Sequence, residues 1–496
     1  MGEYVVRLKG FQPDIKSDDE GVLMFGSSIL PTRNGYSIIP NYPVSGSTFT
    51  GGTAISMASV QFLDETSRIF LSTNSQIYMS SAFVSWTNVG RSTAYATATA
   101  SLPWAFAQFE DATLAAQKSN VLQRRTATGN FADVSGAPSA AYLEIVNQFA
   151  FVANTATSSS QWICSALGNP TDWAPSVTTQ CATGQLTSAP GPITGMKRLG
   201  DNIVIYKEHA IFLGRYVGPQ SNTWAFEKIP GSIGCIANGS IIDIGYAHLF
   251  IGRNDFYIFD GTRPIALNAP CREHIMQIGS LSLNWARRKL IQSAVDEGKK
   301  IAYWFYPIGF TTEERSYTVC LNYERTNNRE AWGFVAGQWS CYVANNIHTT
   351  FGMEPAIIGS SNNAPRYVGG QQSTITETSS GSFVISPIGR WGSFRTLKQV
   401  RPRWIFPRST NTQIAATGNL STFNDPGTAV GSLVFNGRTL IGESWSPNSP
   451  VKLEVMESAQ KFNVTIIPYT PSIPITSGQI PELSELAFDF EEDGEA

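Results

Sequence analysis

Long apolar runs, charge, histidine and paired cysteines are all scarce in this chain of 496 residues. No hydrophobic stretch approaches the ~18 residues needed to cross a bilayer. The opening MGEYVVRLKGF lacks the apolar centre of a secretory signal. The expected compartment is a cytosol, with no membrane insertion by this chain. Charged residues make up 15% and the net charge is −3, which removes the basic footprint of a general nucleic-acid binder. The same scarcity argues against a helical protein, because surface helices draw on Glu, Lys and Arg. Cys164, Cys181, Cys235, Cys271, Cys320 and Cys341 include no C-x-x-C pair. In a chain this long they are expected as free, half-buried thiols rather than a disulfide framework.

Catalytic patterns are equally thin. His209, His248, His274 and His348 show no metal-ligand spacing. His209 and His248 sit in strand-like runs, where a histidine is a hydrogen-bonded filler. There is no G-x-x-x-x-G-K-[ST] phosphate loop, and residues 442–446 (GESWS) lack the closing glycine of a nucleophile elbow. The enzymatic rival is a propeller glycosidase with two central carboxylates. Its candidates are Asp201, Asp243, Asp255, Asp260 and Asp296 at strand ends. Yet Asp255 and Asp260 bracket FYIF where Asp caps a turn, and no S-x-D-x-G-x-x-W repeat of the sialidase kind occurs. Three N-x-[ST] triplets, at Asn238, Asn419 and Asn463, mean nothing without a secretory signal. Catalytic, cofactor and metal sites are accordingly expected to number none.

What is present suits strands and turns. The composition is rich in glycine, proline, serine and threonine, and aromatics reach 11%, enough for sheet faces packed on one another. Within residues 195–264, NIVIY and AIFL flank Lys207-Glu208-His209, then HLFI and FYIF precede Asp260-Gly261. Short β-branched and aromatic runs broken by such turns are hairpins. Similar pairs begin near 69, 107, 149, 203, 249, 301 and 357, about 40–55 residues apart, the period of a four-stranded propeller blade. The expected fold is all-β: an irregular six- or seven-bladed β-propeller over 51–375 plus a β-sandwich platform. Trp86, Trp173, Trp224 and Trp332 recur near unit ends, as blade-to-blade packing residues do.

The flanks differ. Residues 1–50 read as an extended segment that must lie along another domain or subunit. A Ser/Thr/Gly-rich stretch, STITETSSGS, resembles a linker and precedes the sandwich at 376–481. This region holds a basic cluster, Arg395, Lys398, Arg401, Arg403 and Arg408, either a solvated strand face or an interface to an acidic partner or DNA backbone. Residues 482–496 carry seven acids and read as a flexible tail.

Three passages resemble one family: GDNIVIYKEHAIFLG, SIGCIANGSIIDIGYAHLFIGRNDFYIFDGTRP and VDEGKKIAYWFYP. With the opening GFQPDIKSDDEGVL, they are similar to the tail-nozzle proteins of short-tailed bacteriophages, also called tail tubular protein B or head-to-tail stabilisation proteins. The likeness is direct over residues 1–60 and about 195–310. It implies a virion tail component, not an enzyme, assembled in the host bacterial cytoplasm. Members form a homohexameric ring beneath the head-to-tail adaptor, offer surface to tail fibres, and pass double-stranded DNA through a bore without reading its sequence. A platform made by both chain ends carries the propeller. On this footing the basic cluster is the candidate adaptor interface. Two lightly charged loops, 158–192 and 91–103 (with Arg91, Thr93, Tyr95 and Pro103), are candidate channel gates. The alternatives are a carbohydrate-binding or glycan-cleaving propeller tail protein, or a receptor-binding spike.

Overall fold

The computed structural model describes residues 3–14, 20–27, 29–33, 35–41, 43–219, 223–277, 281–308, 314–326, 329–360, 362–369, 374–375, 377–378, 382–389, 393–405, 415–425, 428–436, 453–459, 461–469, 475–476 and 482–495. Seven antiparallel blades stand around one axis. Their inner strands are Ser56–Gln61, Ala105–Phe109, Ala140–Val146, Ile193–Leu199, Ile242–Asp243, Gln292–Asp296 and the far half of Trp332–Thr349. The first six blades have four strands each.

The second strand of a blade lies between two neighbouring sheets, so both of its faces are covered. That is why these strands read as unbroken apolar runs: Phe149–Thr155 and Ile301–Tyr306 are buried at every position. Each blade interface has its own apolar cluster. Phe70 shares one with Ala115, Leu114 with Val152, Phe151 with Ile205, and Val204 with Phe250. Phe256 packs on Trp304, Phe305 shares a cluster with Ile357, and Ile358 shares one with Leu71, which returns to the first blade. With each of the seven interfaces filled by one of these clusters, the ring closes. Burying one such side chain contributes about 1.5–3 kcal/mol, and no blade could hide both faces alone. Two of the four tryptophans pack between blades as expected: Trp224 stands edge-on to Phe151 of the preceding blade at 4.8 Å, and Trp332 packs on Phe256 at 4.9 Å. The ring contacts of Trp86 are with Phe49 and Phe83.

Closure is made by an unusual strand. The first part of Trp332–Thr349 pairs with Arg315–Asn322 as the outer strand of the sixth blade. After Gly337, which adopts a φ of 73°, the same strand pairs with Gly352–Gly359 and becomes the inner strand of the seventh. Pro365–Tyr367 follows. Outside it, Ser45 N donates to Pro365 O at 2.8 Å and Phe49 N to Asn363 O at 3.1 Å, so early chain completes the last blade. Locally, Asn147 and Gln148 both take positive φ (46° and 61°) in the two-residue turn before Phe149, as primed hairpin turns require. Gly234, inside the SIGCIANGS passage, has no room for a side chain: a Cβ there would lie 2.0 Å from Lys207 O.

Beside the propeller, the two chain ends interleave. Glu3–Arg7 and Tyr36–Ile38 pair with Glu482–Glu495, which pairs in turn with Ser393–Ile405. Leu23–Ser27 joins a second sheet through Ser382–Gly389, followed by Lys461–Tyr469, Ala415–Asp425 and Thr428–Asn436. Ile29 reaches the long shared strand at Phe334. The linker-like stretch contributes Thr374–Ile375, paired with Ile475–Thr476, and Glu377–Thr378, paired with Pro40–Asn41.

Two expectations are corrected. Glu482–Glu495 is a 14-residue strand, not a loose tail. Its acids alternate with Leu486, Phe488 and Phe490, a period of two that overall acidity conceals, and Leu486 and Phe488 are fully buried. Residues 158–192 are not one loop, since they contain the third blade's outer strands, Gln161–Cys164 and Ala182–Gln185.

Candidate functional site

The inner strands enclose a cavity of about 370 Å³ on the propeller axis. Glu144 and Lys197 occupy the fifth position of Ala140–Val146 and Ile193–Leu199, so neighbouring blades present them at the same height. Their ion pair measures 2.9 Å, and the Glu144 carboxylate pushes the Lys197 ammonium above its usual pKa. Lys118 reaches the cavity from the turn between the second blade's middle strands, where Nζ donates to Asn154 Oδ1 at 2.6 Å. Lys289 approaches from the 3-10 turn Trp285–Leu290. Burial lowers the pKa of Lys118, and the charge of Lys289 lowers it further. Composition gave no hint of this constellation. For Glu144 and Lys197 the signal is positional, because polar residues on inner strands point to the axis once the blades are in register.

The expected gate loop is pinned at both ends. Arg91 Nη1 pairs with Asp133 at 2.7 Å while its guanidinium lies 4.8 Å over the Tyr95 ring. Tyr95 is buried edge-on to Trp104, 4.8 Å away, and Ala96 is clasped by both amide atoms of Asn120. Thr93 is exposed, and its carbonyl accepts from Arg91 Nε at 3.1 Å. Pro103 borders the axial cavity.

The basic cluster lies on Ser393–Ile405, except that Arg408 falls outside the described residues. Register sets Arg395 against Glu492 and Arg403 against Glu485, whereas Arg401 is set against Ala487. Lys398 has no register partner where the pairing shifts. The strand thus has an acidic neighbour within its own chain.

The five strand-end aspartates behave as turn residues. Asp255 accepts from Phe256 N and Ala269 N at 2.8 and 3.1 Å, and Asp260 from Thr262 N at 2.9 Å. Asp243 accepts from Gly245 N and Asp296 from Lys299 N, at 2.8 and 2.9 Å. Asp201 lies exposed in a turn. Glu144 is the one carboxylate lining the axial cavity among the described residues. His248 is fully buried, His209 exposed, and His274 stands edge-on to Phe11 and Phe334. His348 is half-buried. Among the described residues no group of three potential metal ligands forms. All six cysteines are free and buried, more fully than expected.

No protein-family model matches this chain, and no curated protein does. Several solved structures are similar to it at low identity. The S. cerevisiae core factor aligns at TM-score 0.37 with 8% identity over 87% of this chain, which spans 61% of that one's length. An exo-β-1,3-galactanase from Phanerochaete chrysosporium aligns at 0.26 with 9% identity, over 90% of this chain and 100% of its own. The AfRom2 CNH domain aligns at 0.25 with 11% identity, over 86% and 98%. None of the three is a phage tail protein, and at these TM-scores none carries a functional argument.

Proposed function

We propose that this chain is a structural virion protein: the tail nozzle of a short-tailed bacteriophage, a homohexameric ring beneath the head-to-tail adaptor. It retains packaged DNA, conducts it at ejection and offers docking surface to tail fibres. The observation that carries this reading is the interleaving of both chain ends into one platform beside a closed propeller, the arrangement that the resemblance of the central passages implies. The mechanism is physical rather than catalytic. A conduit must bind its neighbours without gripping DNA, since phosphate contacts through Lys and Arg are individually favourable. A net charge of −3 suits that role. The basic strand is the adaptor interface. Residues 91–103 gate the bore, and the tethering of Tyr95 limits free movement to the exposed portion around Thr93.

The glycan-cleaving alternative needs two carboxylates flanking one bond. The axial cavity offers one among the described residues, already paired with Lys197, so no observation favours it.

The test is the mass of the purified protein, alone and with the virion's adaptor, followed by ring-averaged electron microscopy. A sixfold ring, alone or formed on the adaptor, supports the nozzle. A stable monomer that ignores the adaptor and cleaves glycans overturns it.

A further inference from the structure

The axial cavity is lopsided in charge. Three lysines and one carboxylate border it, and Glu144 is engaged by Lys197 at 2.9 Å. That leaves Lys118 and Lys289. Asn154 is held in one orientation because its Nδ2 donates to Ile193 O at 2.8 Å, so Oδ1 is the atom that meets Lys118 Nζ. An amide oxygen satisfies one donor of an ammonium group but neutralises no charge. Lys289 makes no hydrogen bond or ion pair with any described residue. Both lysines border the same cavity, and the charge of Lys289 adds to burial in disfavouring the charged form of Lys118. Like charges confined at a partly closed mouth, where low-dielectric walls focus their field, concentrate counter-ions there.

We propose that Lys118 and Lys289, at the mouth of the axial cavity, bind a small dianion of the phosphate class. Two unneutralised ammonium groups match a dianion in charge. Their remaining N–H groups match the several acceptor oxygens of a phosphate, toward which lysine acts as a point charge. A cavity of about 370 Å³ has room for a single ion of that size with its waters. The site does not depend on the nozzle assignment, which is tested separately by ring formation.

Calorimetric titration of the full chain with inorganic phosphate tests the site, at fixed ionic strength with chloride as the balancing anion. One saturable site per chain is expected. Lys118→Gln and Lys289→Gln should each weaken it roughly tenfold or more, the cost of losing a charge-assisted contact. Arg253→Gln, which breaks an ion pair with Glu208 away from the cavity, should leave it unchanged. Because Lys289 is exposed, its variant folds and decides the matter if Lys118→Gln does not. No saturable heat, or equal affinity in Lys289→Gln, overturns the proposal. So does equal stabilisation by chloride, which would mean ionic screening rather than a site.

Discussion

The Tyr206 hydroxyl stands 2.9 Å from His248 Nδ1, and Nε2 of the same ring stands 2.7 Å from Arg198 O. A carbonyl only accepts, so Nε2 carries the proton, Nδ1 is the acceptor and Tyr206 donates. This relay stitches the fourth blade to the fifth. The ring is fully buried, and burial pushes its pKa down to about 4. An unfolded histidine titrates near 6.5, so the unfolded state binds more protons between those values. Stability is therefore full above about pH 6.5 and falls as the pH drops toward 4, by roughly 3 kcal/mol from this group. Melting midpoints of wild type and His248→Gln should converge as the pH falls through that window. A constant difference refutes the linkage. Tyr206→Phe should cost about 1–3 kcal/mol by stranding Nδ1.

The thiols give a second check. Burial pushes Cys164, Cys235 and Cys341 up to about 12 and Cys181 up to about 11, and it raises Cys271 and Cys320 as well. Thiolate, not thiol, is the reactive form. An aromatic disulfide reagent at mildly alkaline pH should modify none of the six in native protein and all of them in guanidinium. Rapid native reaction at any one contradicts its burial.

Phe11 anchors the N-terminal segment. It is fully buried, stacks on Phe334 at 5.5 Å, and its N–H donates to the Tyr36 hydroxyl at 3.2 Å. That hydroxyl lies 2.7 Å from Glu330 O and 3.0 Å from Trp332 O. Phe11→Ala should cost about 3–5 kcal/mol and Tyr36→Phe about 1–3 kcal/mol. Limited proteolysis should then cut within residues 1–41 before the propeller. Unchanged cleavage order would show that the segment is held elsewhere.

Strand Glu482–Glu495 is partner to three others. Deleting it should abolish hydrogen-exchange protection across 401–405, which pair with no other described strand, while strands such as Phe149–Thr155 stay protected. Retained protection at 401–405 argues against the pairing. For the adaptor interface the cleaner variant is Arg401→Glu, because its register partner is Ala487 rather than an acid. Lower adaptor affinity with weaker salt dependence is expected, and unchanged binding removes the interface.

Much of the propeller was legible because each blade's second strand is apolar on both faces: IAYWFY and FAFVANT announce themselves wherever they occur. The outer strands do not. Ala182–Gln185 (ATGQ) has one face near solvent and no period to detect, so 158–192 read as a loop. Acidity hid the final strand for the reason given above, since its apolar residues are outnumbered although correctly spaced. The axial lysines were invisible for another reason. Lys118 and Lys289 lie 171 positions apart in sequence and meet only when the ring closes.

Pairing Glu3–Arg7 with residues 485–489 also sets an order of events during synthesis. Ribosomes add roughly 5–20 residues per second, so the first strand waits on the order of 25–100 s before its partner emerges. All seven blades are made before that moment, and the ring can close around its own core while the platform is still incomplete. A ribosome that stops early therefore releases a propeller without a finished base. A chain that stops before residue 482 leaves Glu3–Arg7, Tyr36–Ile38 and Ser393–Ile405 without the strand they share.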